Sequence, residues 1–188
     1  MKKGLLNLKS SKKYQALSEE TLSRFLDWAT LRYKTPTEIE KAARKKLHQV
    51  YGMYIQPHFI QKVVRSLDLM TPSLPQEELK SLCKEVLTCH VSTQERISYL
   101  DSFYERLMTP LGSVKTLADF ACGLNPFTFP WLTPFCQNYL AYDFDQNFIS
   151  LTNTFFQRMT FPGTASLCDL LLSIPQDPVD VAFLLQTL

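Results

Sequence analysis

The hydrophobic pattern changes period part-way along the chain, and that change constrains the architecture more than any other feature. Up to about residue 108, apolar residues return every three or four positions, the spacing of amphipathic helices. From Val114 onward they gather into short runs closed by turn residues. Strand-length runs alternating with helical segments specify parallel βαβ units, whose ligands bind at the carboxyl ends of the strands. The expected fold class is therefore α/β, with a helical domain over residues 1–108, a boundary near Gly112 and a parallel sheet domain over 113–188.

The helical half carries its own start signals. Leu22, Phe25, Leu26 and Ala29 mark a helix over residues 18–33. Thr35-Pro36-Thr37-Glu38 combines an N-cap threonine, a first-turn proline and a glutamate three residues after the cap. It predicts a helix to about Tyr54 with Ile39, Ala43, Leu47, Val50 and Tyr54 inward. A third helix spans Phe59 to Leu69. Ser73-Leu74-Pro75-Gln76 and Ser92-Thr93-Gln94-Glu95 repeat the capping pattern ahead of two further helices, the first with Leu79, Leu82, Cys83 and Val86 inward, the second with Ile97, Leu100, Tyr104 and Leu107.

In the other half, Val114–Ala121 reads as the first strand, followed by Cys122-Gly123-Leu124-Asn125-Pro126 and a helix to Cys136. Tyr139–Asp143 is the second strand, 147–159 a helix, Ala165–Cys168 a third strand ending at Asp169, and Val179–Leu185 a fourth. The first three strands thus deliver Gly123, Asp143 and Asp169 to one edge. A glycine there lets the backbone approach a ligand, an acid after the second strand suits the two hydroxyls of a ribose, and a polar residue after the third can reach an adenine amino group. Taken singly, either acid equally suits a turn or a helix cap. Neither G-x-G-x-x-G nor a P-loop is present, so a nucleoside cofactor without a phosphate, S-adenosylmethionine, fits better than NAD or ATP.

Charge divides along the same line. Residues 1–65 hold 14 Lys and Arg against 5 Asp and Glu, a net +9, whereas 66–188 hold 6 against 13, a net −7. A basic face on the second helix (Lys41, Arg44, Lys45 and Lys46), with Lys12 and Lys13 upstream, suits a polyanion as well as it suits plain solvation. Five cysteines without a C-x-x-C pair and three scattered histidines give no metal-ligand spacing. No run approaches a membrane span, and the amino terminus lacks a signal-peptide apolar region, so a soluble cytoplasmic protein with reduced thiols is expected.

Three segments carry a resemblance. Arg44-Lys45-Lys46-Leu47-His48, Ser92-Thr93-Gln94-Glu95-Arg96 and Leu117-Ala118-Asp119-Phe120-Ala121-Cys122-Gly123-Leu124-Asn125-Pro126 are similar to the aminoglycoside-resistance 16S rRNA (guanine-N7) methyltransferases of the Arm/Rmt type. The resemblance runs through nearly the whole chain. It implies a Rossmann-like S-adenosylmethionine-dependent methyltransferase domain behind an rRNA-docking helical domain. The implied activity is methyl transfer from S-adenosylmethionine to N7 of guanine 1405 in the decoding site of the 30S subunit, a change that blocks gentamicin and kanamycin.

By that resemblance Arg96 takes the cofactor carboxylate, Ala121 and Gly123 line its methionine part, Asp143 binds the ribose, Asp169 and Leu170 contact adenine, and Gln186 follows the fourth strand near the target site. Asn125 is expected to orient the target base, or else to cap the helix starting at Pro126. Arg96, without the resemblance, would read as a surface ion pair. The expected partner is 16S rRNA in the 30S subunit, with the protein a monomer and neither membrane nor metal involved. Family members continue beyond a fourth strand, so the fold is expected to be incomplete after it, and the 188-residue chain to be poorly stable and inactive on its own. A non-catalytic rRNA-binding remnant and a small-molecule methyltransferase are the alternative readings.

Overall fold

The computed structural model describes residues 2–52 and 58–185. Nine α-helices are described, and the first seven precede the sheet: α1 Lys2–Lys9, α2 Glu19–Thr30, α3 Pro36–Leu47, α4 Phe59–Leu69, α5 Gln76–Leu87, α6 Val91–Gln94 and α7 Leu100–Met108. The periodicity predicted their faces well. In α2, Leu22, Phe25, Leu26 and Ala29 are all buried. Thr35 and Glu38 form a reciprocal capping box, with Pro36 opening α3. Its basic last turn, Arg44 to Lys46, also complements the negative end of the helix dipole.

Three local signals were read differently by the tertiary structure. The α-helix after Thr35 stops at Leu47 and passes into a π-helical turn, His48–Gly52, which leaves Val50 exposed; Tyr54 lies outside the described residues. Ser73 does not cap α5, whose N-cap is Pro75. Ser92 and Thr93 sit inside the short α6 rather than ahead of a long helix, because their hydroxyls have better partners there: Ser92 pairs with His90 Nδ1 at 2.7 Å and Thr93 donates to the Leu87 carbonyl at 2.6 Å.

The chain then turns at Gly112, whose φ of +68° only glycine adopts cheaply, and enters β1 Val114–Phe120. A tight crossover follows, a 3-10 turn Asn125–Thr128 and α8 Phe129–Leu132, shorter than the helix to Cys136 that was expected. Consequently β2, Cys136–Asp143, starts three residues before Tyr139. The long crossover α9 Gln146–Met159 leads to β3 Gly163–Leu167, and β4 Val181–Phe183 closes the described sheet. Between β3 and β4 no helix forms; Pro175 and Pro178 lack the amide donors a helix needs there.

All four strands are parallel in the order β3-β2-β1-β4. The order reverses between β1 and β4, the switch point at which a doubly wound sheet opens its crevice. Asp180 holds β4 in place by accepting the Lys115 and Thr116 amides at 2.8 and 2.9 Å. Beneath the β1–α8 crossover, the Phe127 and Phe155 rings stack at 4.5 Å and Phe129 meets Tyr139, Phe156 and Phe161 edge-on, so the loop after β1 rests on a solid aromatic floor.

Contacts cross the turn at Gly112 freely. Phe59 of α4 meets Phe148 of α9 at 5.4 Å, Leu17 bridges to Asp145, and one buried apolar cluster includes residues from both sides. Among the described residues, no helix is long and apolar enough to cross a membrane. The five cysteines are free thiols, four of them buried.

Candidate functional site

The carboxyl end of β1 is bent by two left-handed residues flanking Cys122. Ala121 has φ +53° and Gly123 +52°. For Ala121 this conformation costs about 1 kcal/mol, strain that concentrates at ligand sites. At Gly123 a Cβ would find only ordinary contact, 3.6 Å from the His90 ring, so the backbone angle rather than lack of room demands glycine.

This kink aims the Gly123 amide at Asp143, at the end of β2. One Asp143 oxygen accepts Gly123 N–H at 2.8 Å, and the other accepts Asp145 N–H at 3.0 Å. The side chain is buried, and burial pushes its pKa up to about 7 against the opposing pull of those amides. Each oxygen keeps a second lone pair for an incoming hydroxyl.

Asp145 is fixed by caps of its own. It accepts Asn147 N–H at the start of α9 and the Tyr51 hydroxyl from the helical half. Burial raises the pKa of both groups. After β3, Asp169 is held by Arg24 of α2, with the Nε and a terminal nitrogen at 3.0 and 2.9 Å. A cavity of about 350 Å³ opens on the same end of the sheet, lined by Leu17, Ser18, Gln146, Asn147 and Leu167 among others.

Two residues past Gly123, Asn125 is almost fully buried, with every hydrogen-bonding position spent inside the protein. Its Oδ1 accepts from Arg96 at 3.0 Å and from the Tyr104 hydroxyl at 2.6 Å. Its Nδ2 donates to Asp119 at 2.9 Å and to the Tyr139 hydroxyl at 3.4 Å. The expected base-orienting role has no free donor or acceptor to act through. Nor does its side chain cap a helix; the residue opens the 3-10 turn with Leu124 at the cap.

Arg96 is buried rather than a surface ion pair, lying over the Phe103 ring at 5.9 Å. Among the described residues no carboxylate lies within ion-pair distance of it, and its Nε has no hydrogen-bond partner. A buried guanidinium N–H without a partner costs free energy that an anionic ligand group would recover. His90, against Gly123, is driven by burial to a pKa of about 4 and is neutral at physiological pH.

The sequence reading thus located Arg96, Ala121, Gly123, Asp143 and Asp169 at one end of the sheet. Leu170 follows Asp169 half-buried, and Gln186 lies outside the described residues. Missed were Asp119, Tyr104, Tyr139, Asp145 and Arg24. Asp119 alone left a signal, a charge inside the apolar run Leu117–Phe120.

Of the basic residues, Lys12, Lys13, Lys41 and Lys45 are exposed, Lys13 touching His48 Nδ1 at 2.9 Å. Lys46 is half-buried, 5.9 Å from the centre of the Trp28 ring. Arg44 departs from expectation: it turns onto Glu40 at 3.0 Å and the Asn7 carbonyl at 2.8 Å, bracing α1 against α3. Among the described residues no group of His, Cys, Asp and Glu is arranged to hold a metal ion.

Comparison with known proteins places this geometry. Residues 10–188 match the family described as Ribosomal RNA methyltransferase (FmrO). A 16S rRNA (guanine(1405)-N(7))-methyltransferase of Micromonospora echinospora is 31% identical over 183 residues, covering 95% of this chain and 66% of the relative. The Proteus mirabilis enzyme of the same name is 29% identical over 164 residues, covering 81% and 58%. The chain therefore spans a little under two thirds of these relatives' length. Among solved structures, the 16S rRNA methyltransferase RmtF in complex with S-adenosyl-L-homocysteine superimposes with a TM-score of 0.84 at 30% identity, covering 96% of this chain and 67% of that one. The 16S rRNA methylase RmtB gives 0.82 at 27% identity, covering 96% and 69%. With 179 consecutive residues matched, on a sheet of the same fold, the chain belongs to the ribosomal RNA methyltransferase (FmrO) family.

Proposed function

We propose that this protein binds S-adenosylmethionine at the end of β1 and β2 and serves methyl transfer to N7 of guanine 1405 in 16S rRNA of the 30S subunit, conferring aminoglycoside resistance. The observation that carries the reading is the pairing of an unsatisfied buried Arg96 Nε with a buried Asp143 carboxylate, both tied to one loop, Arg96 through Asn125 and Asp143 through Gly123. An amino-acid carboxylate suits the first, and vicinal ribose hydroxyls suit the second. Ala121 and Gly123, in the same loop, line the methionine portion. Asp169 and Leu170 face the adenine.

The cofactor, when bound, supplies a methyl group already activated on a sulfonium. Guanine N7 carries an exposed lone pair, so no residue need remove a proton from it. This chain's residues have to orient the donor and exclude water. The exposed lysines 12, 13, 41 and 45 supply phosphate contacts to the rRNA.

A full-length protein carrying this sequence, expressed in a gentamicin-sensitive bacterium, should raise the inhibitory concentration and place a methyl on N7 of guanine 1405, while its Asp143→Ala version does neither. Unmodified guanine 1405 in cells that accumulate that full-length protein in folded form would refute the assignment. Reversing Lys41 and Lys45 to Glu should flatten the salt dependence of 30S binding. An unchanged slope would remove the helical face from the docking surface.

A further inference from the structure

We infer that Asn125 and Asp119 are positioning residues for Arg96: Asp119 fixes the Asn125 amide so that its oxygen aims the guanidinium at the cofactor's carboxylate without neutralising it. This rests on the assignment of Arg96 to that carboxylate.

The chain of contacts has one consistent direction. Asp119, fully buried on β1, is an acceptor and draws the Tyr139 hydroxyl at 2.6 Å and the Asn125 Nδ2 at 2.9 Å. That choice of amide orientation leaves Oδ1 on the opposite side, where it receives Arg96 and Tyr104. Flipping the amide would set its N–H₂ against a guanidinium and its oxygen against a carboxylate, losing both bonds. Asp119 thus orients Arg96 through a neutral amide, which holds the guanidinium without forming an ion pair with it.

The residue type at 125 follows from this. A carboxylate there would pair with Arg96 directly and compete with the ligand. An apolar residue would take one partner each from Asp119 and Arg96 in a buried setting, leaving Asp119 with Tyr139 alone. The amide holds one guanidinium nitrogen and leaves Nε unpaired. This inward-facing amide replaces the base-orienting role that the sequence suggested.

Calorimetry on the 188-residue chain with two ligands tests this. S-adenosylhomocysteine carries the amino-acid carboxylate; 5′-methylthioadenosine keeps the nucleoside and sulfur but lacks it. Asn125→Asp, Asn125→Ala and the near-isosteric Asp119→Asn should each weaken S-adenosylhomocysteine by about tenfold or more, the equivalent of one hydrogen bond to a charged group, and leave methylthioadenosine within about twofold. Retained methylthioadenosine binding shows that the variant is folded. Equal loss of both ligands in all three variants would overturn the positioning role in favour of a structural one, and so would unchanged binding of both. Arg96→Ala reports on the underlying assignment separately: if it too spares S-adenosylhomocysteine, Arg96 does not hold the carboxylate; if it alone weakens that ligand, Arg96 does and the positioning inference fails.

Discussion

Asp119 and Asp143 stand on neighbouring strands, Asp119 beside Ala141 and hence one pleat deeper than Asp143. Both are buried, and burial raises both, Asp119 to about 6 and Asp143 to about 7. Their partners differ. Asp119 is enclosed by side chains, Tyr139 and Asn125, with the Arg96 charge nearby; Asp143 is held by main-chain amides of Gly123 and Asp145. A carboxylate committed to side chains organises its neighbours, whereas one steadied by the backbone keeps lone pairs for a ligand. The same residue type at two depths of one sheet thus takes two tasks.

The strongest way to break that contrast is Asp143→Ala, which should weaken S-adenosylhomocysteine and methylthioadenosine alike by about a hundredfold, two charge-assisted hydrogen bonds lost together. A loss confined to the first ligand would merge the two acids into one role. Next in size is pH. If ribose hydroxyls donate to ionised Asp143, affinity should rise about tenfold from pH 6 to pH 8 as the group loses its proton near 7. His90, already neutral near 4, adds nothing in that window. A flat binding profile would contradict the role of Asp143.

Stability should move the opposite way. Both acids hold their protons more tightly when folded, so their contribution is fullest below the unfolded pKa near 4. It is lost as pH rises through about 6 and about 7. Urea midpoints should fall between pH 5 and pH 8, and Asp119→Asn should reduce that fall; an identical fall in the variant removes Asp119 from the account.

A smaller effect sharpens the nucleoside end. Arg24→Ala releases Asp169 and should weaken both ligands by about fivefold, or about 1 kcal/mol for a partly exposed ion pair, with less loss at high salt. Smallest is Ala121→Gly. Relief of the left-handed strain and the added chain entropy nearly cancel, so the thermal midpoint should barely shift, corresponding to less than about 0.5 kcal/mol. A large loss would mean that the Ala121 methyl is needed for packing.

Much of this was legible in the residues. Thr35 through Glu38 announce a helix start that the structure forms, because a capping box is made by four consecutive residues. Asp143 is found at its strand end because apolar runs and turn residues mark where strands stop. The capping pattern at Ser92 misled for an equally plain reason: His90 and the Leu87 carbonyl, brought close by the end of α5, offered its hydroxyls other partners. Arg44 looked like a phosphate ligand on a helical wheel, but a wheel does not show that Asn7 of α1 lies across from it.

What the sequence by itself determined is local: the change of period near Val114, the helix faces, the strand ends that carry Gly123, Asp143 and Asp169, and the basic bias of the first third. Periodicity and capping act within a few residues and so leave their record in spacing. Only the tertiary structure decided that Asn125 turns inward to Arg96, that Arg24 reaches Asp169 across 145 positions of chain, and that Tyr51 covers Asp145. Burial makes each of these polar groups require a partner, and which partner it takes depends on how the elements pack, a matter on which residue spacing is silent.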